Sequence, residues 1–239
     1  MIKREMYLSQ IRPFIDQTEL IKVIVGVRRS GKSIMLELIK DELVSKGISR
    51  DNMISVNFED MTYSSLTNAV GLHTYLKEKI DSVEGRVYIF LDEIQKVERF
   101  EKAVDSLYIK EKTDIYITGS NAYMLSGELA TLLSGRYVEI SMLPLSFSEY
   151  CQLKEKNNYD ELFAEYMQNG GFPYIAQIDD SKEKADMYLE GIYNTIIIKD
   201  IEERQKRREN DPNKRKITDL SLFKSTAKPS FIIEPVSKI

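Results

Sequence analysis

The stretch Gly26-Val27-Arg28-Arg29-Ser30-Gly31-Lys32-Ser33 follows the apolar run Ile21-Lys22-Val23-Ile24-Val25 and precedes the helical pattern Ile34-Met35-Leu36-Glu37-Leu38-Ile39. It fits G-x-x-x-x-G-K-[ST] at every fixed position and has the strand-before, helix-after setting of a phosphate-binding loop. Each residue type has its own reason. Glycines let the backbone N–H groups of the loop close on phosphate oxygens, Lys32 reaches the β- and γ-phosphates, and the Ser33 hydroxyl ligates Mg²⁺. A helix starting at Lys32 also aims its positive dipole end at the phosphates. The pattern predicts a site for ATP and Mg²⁺ built on residues 26–33. The alternative, a glycine-rich turn with a surface lysine, gives no account of the flanking strand and helix.

Composition limits what surrounds this loop. With 239 residues the chain suffices for one large domain, or a domain and a half, around a substantial core. The single cysteine, Cys151, rules out an intrachain disulfide and points to a reducing compartment, where it serves as a small packing residue. Residues 1–6 are charged without a signal-peptide apolar region, and no later run approaches a membrane span. The sequence therefore reads as soluble and cytoplasmic, without a membrane partner. A net charge of −4 excludes a protein that coats nucleic acid with its whole surface but leaves room for a local basic patch. The one histidine, His73, lies in a helical pattern without metal-ligand neighbours, so zinc and histidine general-base chemistry lack support.

Along the chain, Met6 to Phe14 has helical spacing, and Ile34 to Val44 forms a helix ending at Gly47. Met53 to Phe58 alternates as a strand, Ser64 to Ile80 is helical, and Arg86-Val87-Tyr88-Ile89-Phe90-Leu91 is a near-continuous apolar strand running into Asp92-Glu93. Such a strand belongs inside a parallel sheet covered on both faces, and its carboxyl end is where ligands of open α/β sheets bind. Asp92 is then placed to hold Mg²⁺ through water, and Glu93 to polarise the attacking water as general base. The plainer alternative is that the two acids cap a helix from Ile94 to Tyr108. A strand over Asp114 to Thr118 ends in Gly119-Ser120-Asn121, small polar groups suited to sensing the γ-phosphate or simply to capping the next helix, Met124 to Leu133. Arg136, after a glycine at a turn, is the candidate arginine finger, against the alternative of an ordinary exposed arginine. The strand Tyr137 to Ile140 follows.

Beyond Pro144 the pattern turns helical, at Phe147 to Lys154, Asp160 to Gln168 and onward from Ser181, broken by Gly170-Gly171-Phe172-Pro173. These helices could close over the nucleotide as a lid with the two glycines as hinge, or the glycines could form a plain helix–helix turn. Residues 202–216 carry seven basic and four acidic side chains, a candidate contact for DNA or a protein client or else a solvated helix end and linker.

Together these motifs resemble the prokaryotic AAA-type P-loop ATPases, related to archaeal ATPases, that carry a C-terminal nuclease-like domain of unknown function. The resemblance rests on the loop with its paired arginines, on Asn57-Phe58-Glu59-Asp60, Leu91-Asp92-Glu93-Ile94-Gln95 and Ile117-Thr118-Gly119-Ser120-Asn121, and on Leu133-Ser134-Gly135-Arg136, Leu143-Pro144-Leu145-Ser146-Phe147 and Gly170-Gly171-Phe172-Pro173. It covers about residues 1–225. It implies an α/β fold with a five-stranded parallel sheet, the strand ending at Ser120 inserted between the loop strand and the Asp92 strand. It also implies Lys32 and Ser33 as the Walker A pair, Asp92 and Glu93 as Walker B, Ser120 or Asn121 as sensor and Arg136 as finger. The expected organisation is an ATPase core over 1–146, a helical lid over 147–200, and over 201–239 a basic linker with the truncated start of a winged-helix-like domain. The function expected is Mg²⁺-dependent ATP hydrolysis coupled to movement of the lid, in an oligomer if Arg136 acts across subunits. The rivals are a nucleotide-gated DNA- or protein-binding module with little turnover and a small-molecule kinase, for which Asp92-Glu93 is less suited.

Overall fold

Five apolar runs become five parallel strands in the computed structural model, which describes residues 2–108, 112–120, 133, 135–156, 158–178 and 182–194. In chain order the elements are α1 (Glu5–Ile11), β1 (Ile21–Gly26), α2 (Lys32–Ser45), β2 (Met53–Asn57), α3 (Ala69–Asp81), β3 (Val87–Asp92), α4 (Phe100–Tyr108), β4 (Thr113–Ser120), β5 (Tyr137–Met142), α5 (Phe147–Lys154), α6 (Tyr159–Asn169) and α7 (Lys182–Asn194). The strand order is β2-β3-β4-β1-β5, all parallel, with β4 between the loop strand and the Asp92 strand as the resemblance implies.

Alternation along β1 divides the core. Ile21, Val23 and Val25 pack with Leu72 and Leu76 of α3 and Phe100 and Val104 of α4, while Ile24 packs on the other face with Leu8 and Ile11 of α1 and Met35 and Ile39 of α2. Burial on both faces is why β1, β3 and β4 lack the alternation that the edge strands β2 and β5 keep. Each fully buried Leu, Ile or Phe contributes about 1.5–3 kcal/mol of transfer free energy, offset by the entropy of ordering the chain. A third, smaller cluster of Leu145, Tyr150, Leu162 and Ala176 holds the helices after β5 together.

Under the sheet's amino-terminal end lies a charged network that the apolar reading of β1 passes over. Lys22 is fully buried and pairs with fully buried Asp114, and its Nζ also donates to the Gln17 carbonyl at 2.6 Å. Asp114 accepts from the Tyr116 hydroxyl at 2.9 Å and the Asp16 backbone N–H at 3.0 Å, so both of its oxygens are engaged. Burial depresses the Lys22 ammonium in spite of the opposing pull of Asp114, and burial together with the Asp114 carboxylate raises the Tyr116 phenol.

Two expected helices differ. Instead of one helix over 94–108, a 3₁₀ turn, Ile94–Lys96, is separated from α4 by Val97-Glu98-Arg99. Glu93 and Arg99 both have φ of 57°, in the left-handed region, and the Glu98 N–H donates to the Thr67 carbonyl at 2.8 Å, which together interrupt the helical ladder. The helix expected from Ser64 starts at Ala69, where the Asn68 side chain accepts the Gly71 N–H at 2.9 Å as an N-cap. The expected helix over 124–133 falls outside the described residues except at Leu133, which is buried in a turn. Residues 195–239, with the basic stretch and the expected winged-helix start, fall outside them as well. Among the described residues no helix is long and apolar enough to cross a membrane.

Candidate functional site

The carboxyl ends of β1, β3 and β4 bring the loop, Asp92-Glu93 and Ser120 to one edge of the sheet, Gly26 standing beside Ser120 in register. Gly26 is also in register with Met142 of β5, and a Cβ there would lie 2.3 Å from the Met142 carbonyl oxygen. Glycine at 26 is therefore required by close backbone approach. Gly31 has φ of 100° and caps α2, which starts at Lys32, so the amino-terminal N–H groups of a fourteen-residue helix face the loop. Ser33 is exposed at that helix start.

Lys32 is buried, its ammonium 3.3 Å from the Val27 carbonyl and 3.4 Å from Oε1 of Glu93. The other Glu93 oxygen accepts from the Gln95 amide at 2.5 Å, and the same amide lies 3.5 Å from the Ser120 hydroxyl. Oε1 of Gln95 is buried without a hydrogen-bond partner in the structure. Thr118, buried in β4, donates its hydroxyl to Oδ1 of Asp92 and accepts the backbone N–H of Glu93 at 3.0 Å. One hydroxyl thus holds both neighbouring acids. Glu93 stands at the amino end of the 3₁₀ turn that follows but makes no side-chain hydrogen bond to its backbone.

The remaining expected residues divide. Val27 and Arg28 are half-buried and Arg29 is exposed, its guanidinium lying 5.2 Å over the Tyr188 ring of α7. Ser30 is fully buried beneath the loop, its hydroxyl without a partner in the structure and its carbonyl accepting from Arg4 at 2.9 Å. Asn121 lies outside the described residues. Arg136 is exposed at the opposite end of the sheet, where its carbonyl accepts the Ile21 N–H at 3.0 Å. The six residues of β1 separate it from Gly26 by about 16 Å. An arginine side chain cannot span that distance, so Arg136 does not meet the loop of its own chain.

Thr118, Gln95 and Arg4 carry contacts that motif reading leaves without a role. A polar residue near the end of an otherwise apolar strand beside Asp92 is a usable signal for Thr118, and Gln95 lies within a motif already quoted. Arg4 has none, because its partners are up to 145 residues away.

The residues present fit ATP with Mg²⁺. A buried lysine and a helix amino terminus suit polyphosphate, and the Ser33 hydroxyl with the Asp92 carboxylate are the hard oxygen donors that Mg²⁺ takes.

A family model described as an AAA domain matches residues 18–151. An uncharacterized protein of Haemophilus influenzae is 45% identical over 208 residues, covering 85% of this chain and 51% of that protein. An uncharacterized protein of Methanocaldococcus jannaschii is 35% identical over 192 residues, covering 74% of this chain and 42% of that one. The chain thus spans about half the length, or less, of these curated relatives. Among solved structures, C. elegans PCH-2 is similar with a TM-score of 0.54 and 14% identity over 80% of this chain and 68% of that chain, a likeness of fold.

Proposed function

This chain belongs to the AAA domain family, and from that premise we propose that it binds ATP with Mg²⁺ and hydrolyses it. The observation that carries the reading is the meeting of Lys32 and Glu93 at 3.4 Å, which brings the loop's cation and the strand-end carboxylate to one place. Lys32 and the amino terminus of α2 take the β- and γ-phosphate oxygens, and Ser33 with Asp92 holds Mg²⁺. Mg²⁺ held there would supply positive charge against the negative charge that develops on the phosphate. Lys32 leaves Glu93 as it turns to phosphate. Glu93, still oriented by Gln95, then accepts a proton from the water whose oxygen bonds to the γ-phosphorus as the bond to ADP breaks. Thr118 keeps Asp92 and Glu93 in fixed relation, and Ser120 lies within reach of the same water through Gln95. The segment over 147–200 serves as the lid of a core formed by 1–146. Arg136, remote from its own loop, acts across an interface on a neighbouring copy.

The test is phosphate release from Mg-ATP across a protein dilution series, with Lys32→Ala and Glu93→Gln alongside. Lys32→Ala should lose ATP binding, and Glu93→Gln should bind ATP while turnover drops about 10²–10⁴-fold, the usual worth of a general base. Specific activity should rise with protein concentration if Arg136 works between copies. Undiminished turnover in Glu93→Gln would sink the role given to that residue. Saturable binding without phosphate release in the native chain would favour a nucleotide-gated binding module instead.

A further inference from the structure

Arg4 precedes α1 with φ of 44° and ψ of 49°, a left-handed conformation that non-glycine residues seldom adopt. It is only 4% exposed. Its guanidinium makes five hydrogen bonds. Nη1 donates to the Ser30 carbonyl at 2.9 Å, Nη2 to the Leu143 carbonyl at 3.0 Å and the Pro144 carbonyl at 3.2 Å, and Nε and Nη2 grip the two Glu149 oxygens at 2.9 and 3.0 Å. The cation also lies 4.8 Å over the Tyr7 ring, whose hydroxyl accepts the Leu143 N–H at 3.0 Å. One buried charge thus touches three separate parts of the chain: the loop, the exit from β5, and the first helix beyond it.

Glu149 is committed in return. It closes a capping box at the start of α5, its Oε2 accepting the Ser146 N–H at 2.8 Å while the Ser146 hydroxyl accepts the Glu149 N–H at 3.3 Å. The orientation of α5 is therefore built on the carboxylate that Arg4 holds. On the loop side the geometry is equally directional. The Ser30 carbonyl and the Gly31 N–H belong to one planar trans peptide and point opposite ways, so a carbonyl drawn toward Arg4 fixes the Gly31 N–H facing away from it. The loop meets the later helices at a second point, where Arg29 stacks on Tyr188, itself 4.6 Å from the Tyr174 ring.

We propose that Arg4 is a positioning residue of the nucleotide site that sets the Ser30–Gly31 peptide and ties it to α5 through Glu149, so that loop occupancy and helix placement form one equilibrium. The part concerning nucleotide rests on the ATP-site reading above. Linkage makes the coupling reciprocal: a phosphate that fixes the peptide steadies α5, and a partner that moves α5 changes ATP affinity. Lysine cannot substitute, because a single ammonium lacks the fork that serves Ser30 and both Glu149 oxygens together.

The experiment is site-resolved hydrogen exchange on the full chain, with Arg4→Lys, Glu149→Gln and, as control, Tyr150→Phe. The control removes the bond from the Tyr150 hydroxyl to Glu165 at 2.8 Å within the helical region and leaves Arg4 untouched. The amides to read are Ser30, bonded to the Val27 carbonyl at 3.2 Å, Met35, bonded to the Gly31 carbonyl at 3.0 Å, and those of α5. Without nucleotide, Arg4→Lys and Glu149→Gln should speed exchange of the loop amides and of α5 together by about tenfold, the scale of one charge-assisted bond. Tyr150→Phe should loosen the helices alone. With ATP, α5 should gain protection in the native chain and none in Arg4→Lys, whose ATP affinity should also fall. Loosening of α5 in Glu149→Gln with the loop unchanged, or ATP protection of α5 that survives Arg4→Lys, overturns the coupling. Failure of the native chain to bind ATP would instead refute the nucleotide reading, while the nucleotide-free comparison still decides the link between loop and helix.

Discussion

Gly26→Ala puts the explanation of the first loop glycine at risk. The added Cβ would sit 2.3 Å from the Met142 carbonyl oxygen and 2.9 Å from the Ser30 hydroxyl, whereas ordinary contact begins at 3.4 Å. The end of β5 must therefore retreat by about 1.1 Å or β1 must bend away from it. Neither is free to move, because Leu143 gives its N–H to Tyr7 and its carbonyl to Arg4. Forced overpacking costs about 1–3 kcal/mol. Alanine's lower entropy in the unfolded chain returns about 0.4–1 kcal/mol, so the net loss is roughly 1–2 kcal/mol. In a chain of this size that lowers the midpoint of thermal unfolding by roughly 2–8 °C. ATP titration should show weakened binding, since the displaced strand end carries the loop. Gly47→Ala is the comparison, with φ of 89° and nothing within 4 Å of the new methyl. It should lose roughly 1–2 kcal/mol from backbone strain alone and keep ATP affinity. An unchanged midpoint together with unchanged ATP affinity in Gly26→Ala would refute the close-approach argument.

Other consequences can be measured alongside. Thr118→Val preserves shape but strands the buried Glu93 N–H, and should cost about 1–3 kcal/mol in urea unfolding while slowing phosphate release; equal stability and rate would remove Thr118 from the site. Asp114→Ala leaves the Lys22 ammonium buried beside an unpaired Tyr116 hydroxyl, and should lose about 3–5 kcal/mol by chemical denaturation without altering ATP affinity of the folded protein. Acid should release the joint at α5. Burial would raise the Glu149 carboxyl, but the hydrogen bonds from Arg4 and Ser146 outweigh it and hold it below the ordinary glutamate value. A depressed carboxylate adds stability above its unfolded pKa and loses it as pH falls through the folded one. The gap in unfolding midpoint between native protein and Glu149→Gln should therefore be full near pH 7 and shrink below about pH 4.5; a gap that persists in acid would count against the assignment.

The sheet and the loop were legible because their signals are local. Predominantly apolar runs marked β1, β3 and β4, and fixed spacing marked the residues on the loop. Strand order is not local, and the place of β4 between β3 and β1 came from resemblance rather than periodicity. The break between Ile94–Lys96 and α4 was invisible because Glu93 and Arg99 are left-handed without being glycine, and because Glu98 between them pairs through its backbone with distant Thr67 and Ala69. The site was half legible: Lys32 and Glu93 do meet, but the bridging hydroxyl of Thr118 depends on strand neighbours that only the fold supplies. Arg29, counted among the loop residues 26–33 that build the site, lies over the ring of Tyr188, a neighbour more than 150 residues downstream that no local pattern signals.

The strand order also sets a timetable for synthesis. β1 leaves the ribosome first, yet its hydrogen-bonded neighbours are β4 and β5, and Gly26 waits for Ser120 on one side and Met142 on the other. More than a hundred residues separate Gly26 from Met142, roughly 6–20 s of translation. Until then the loop lacks β5 on one side and the carbonyls at 143 and 144 that anchor Arg4. On the ATP reading proposed above, nucleotide can steady the loop of a nascent chain only after residue 144 is made, and until β5 is made β1 keeps an open strand edge.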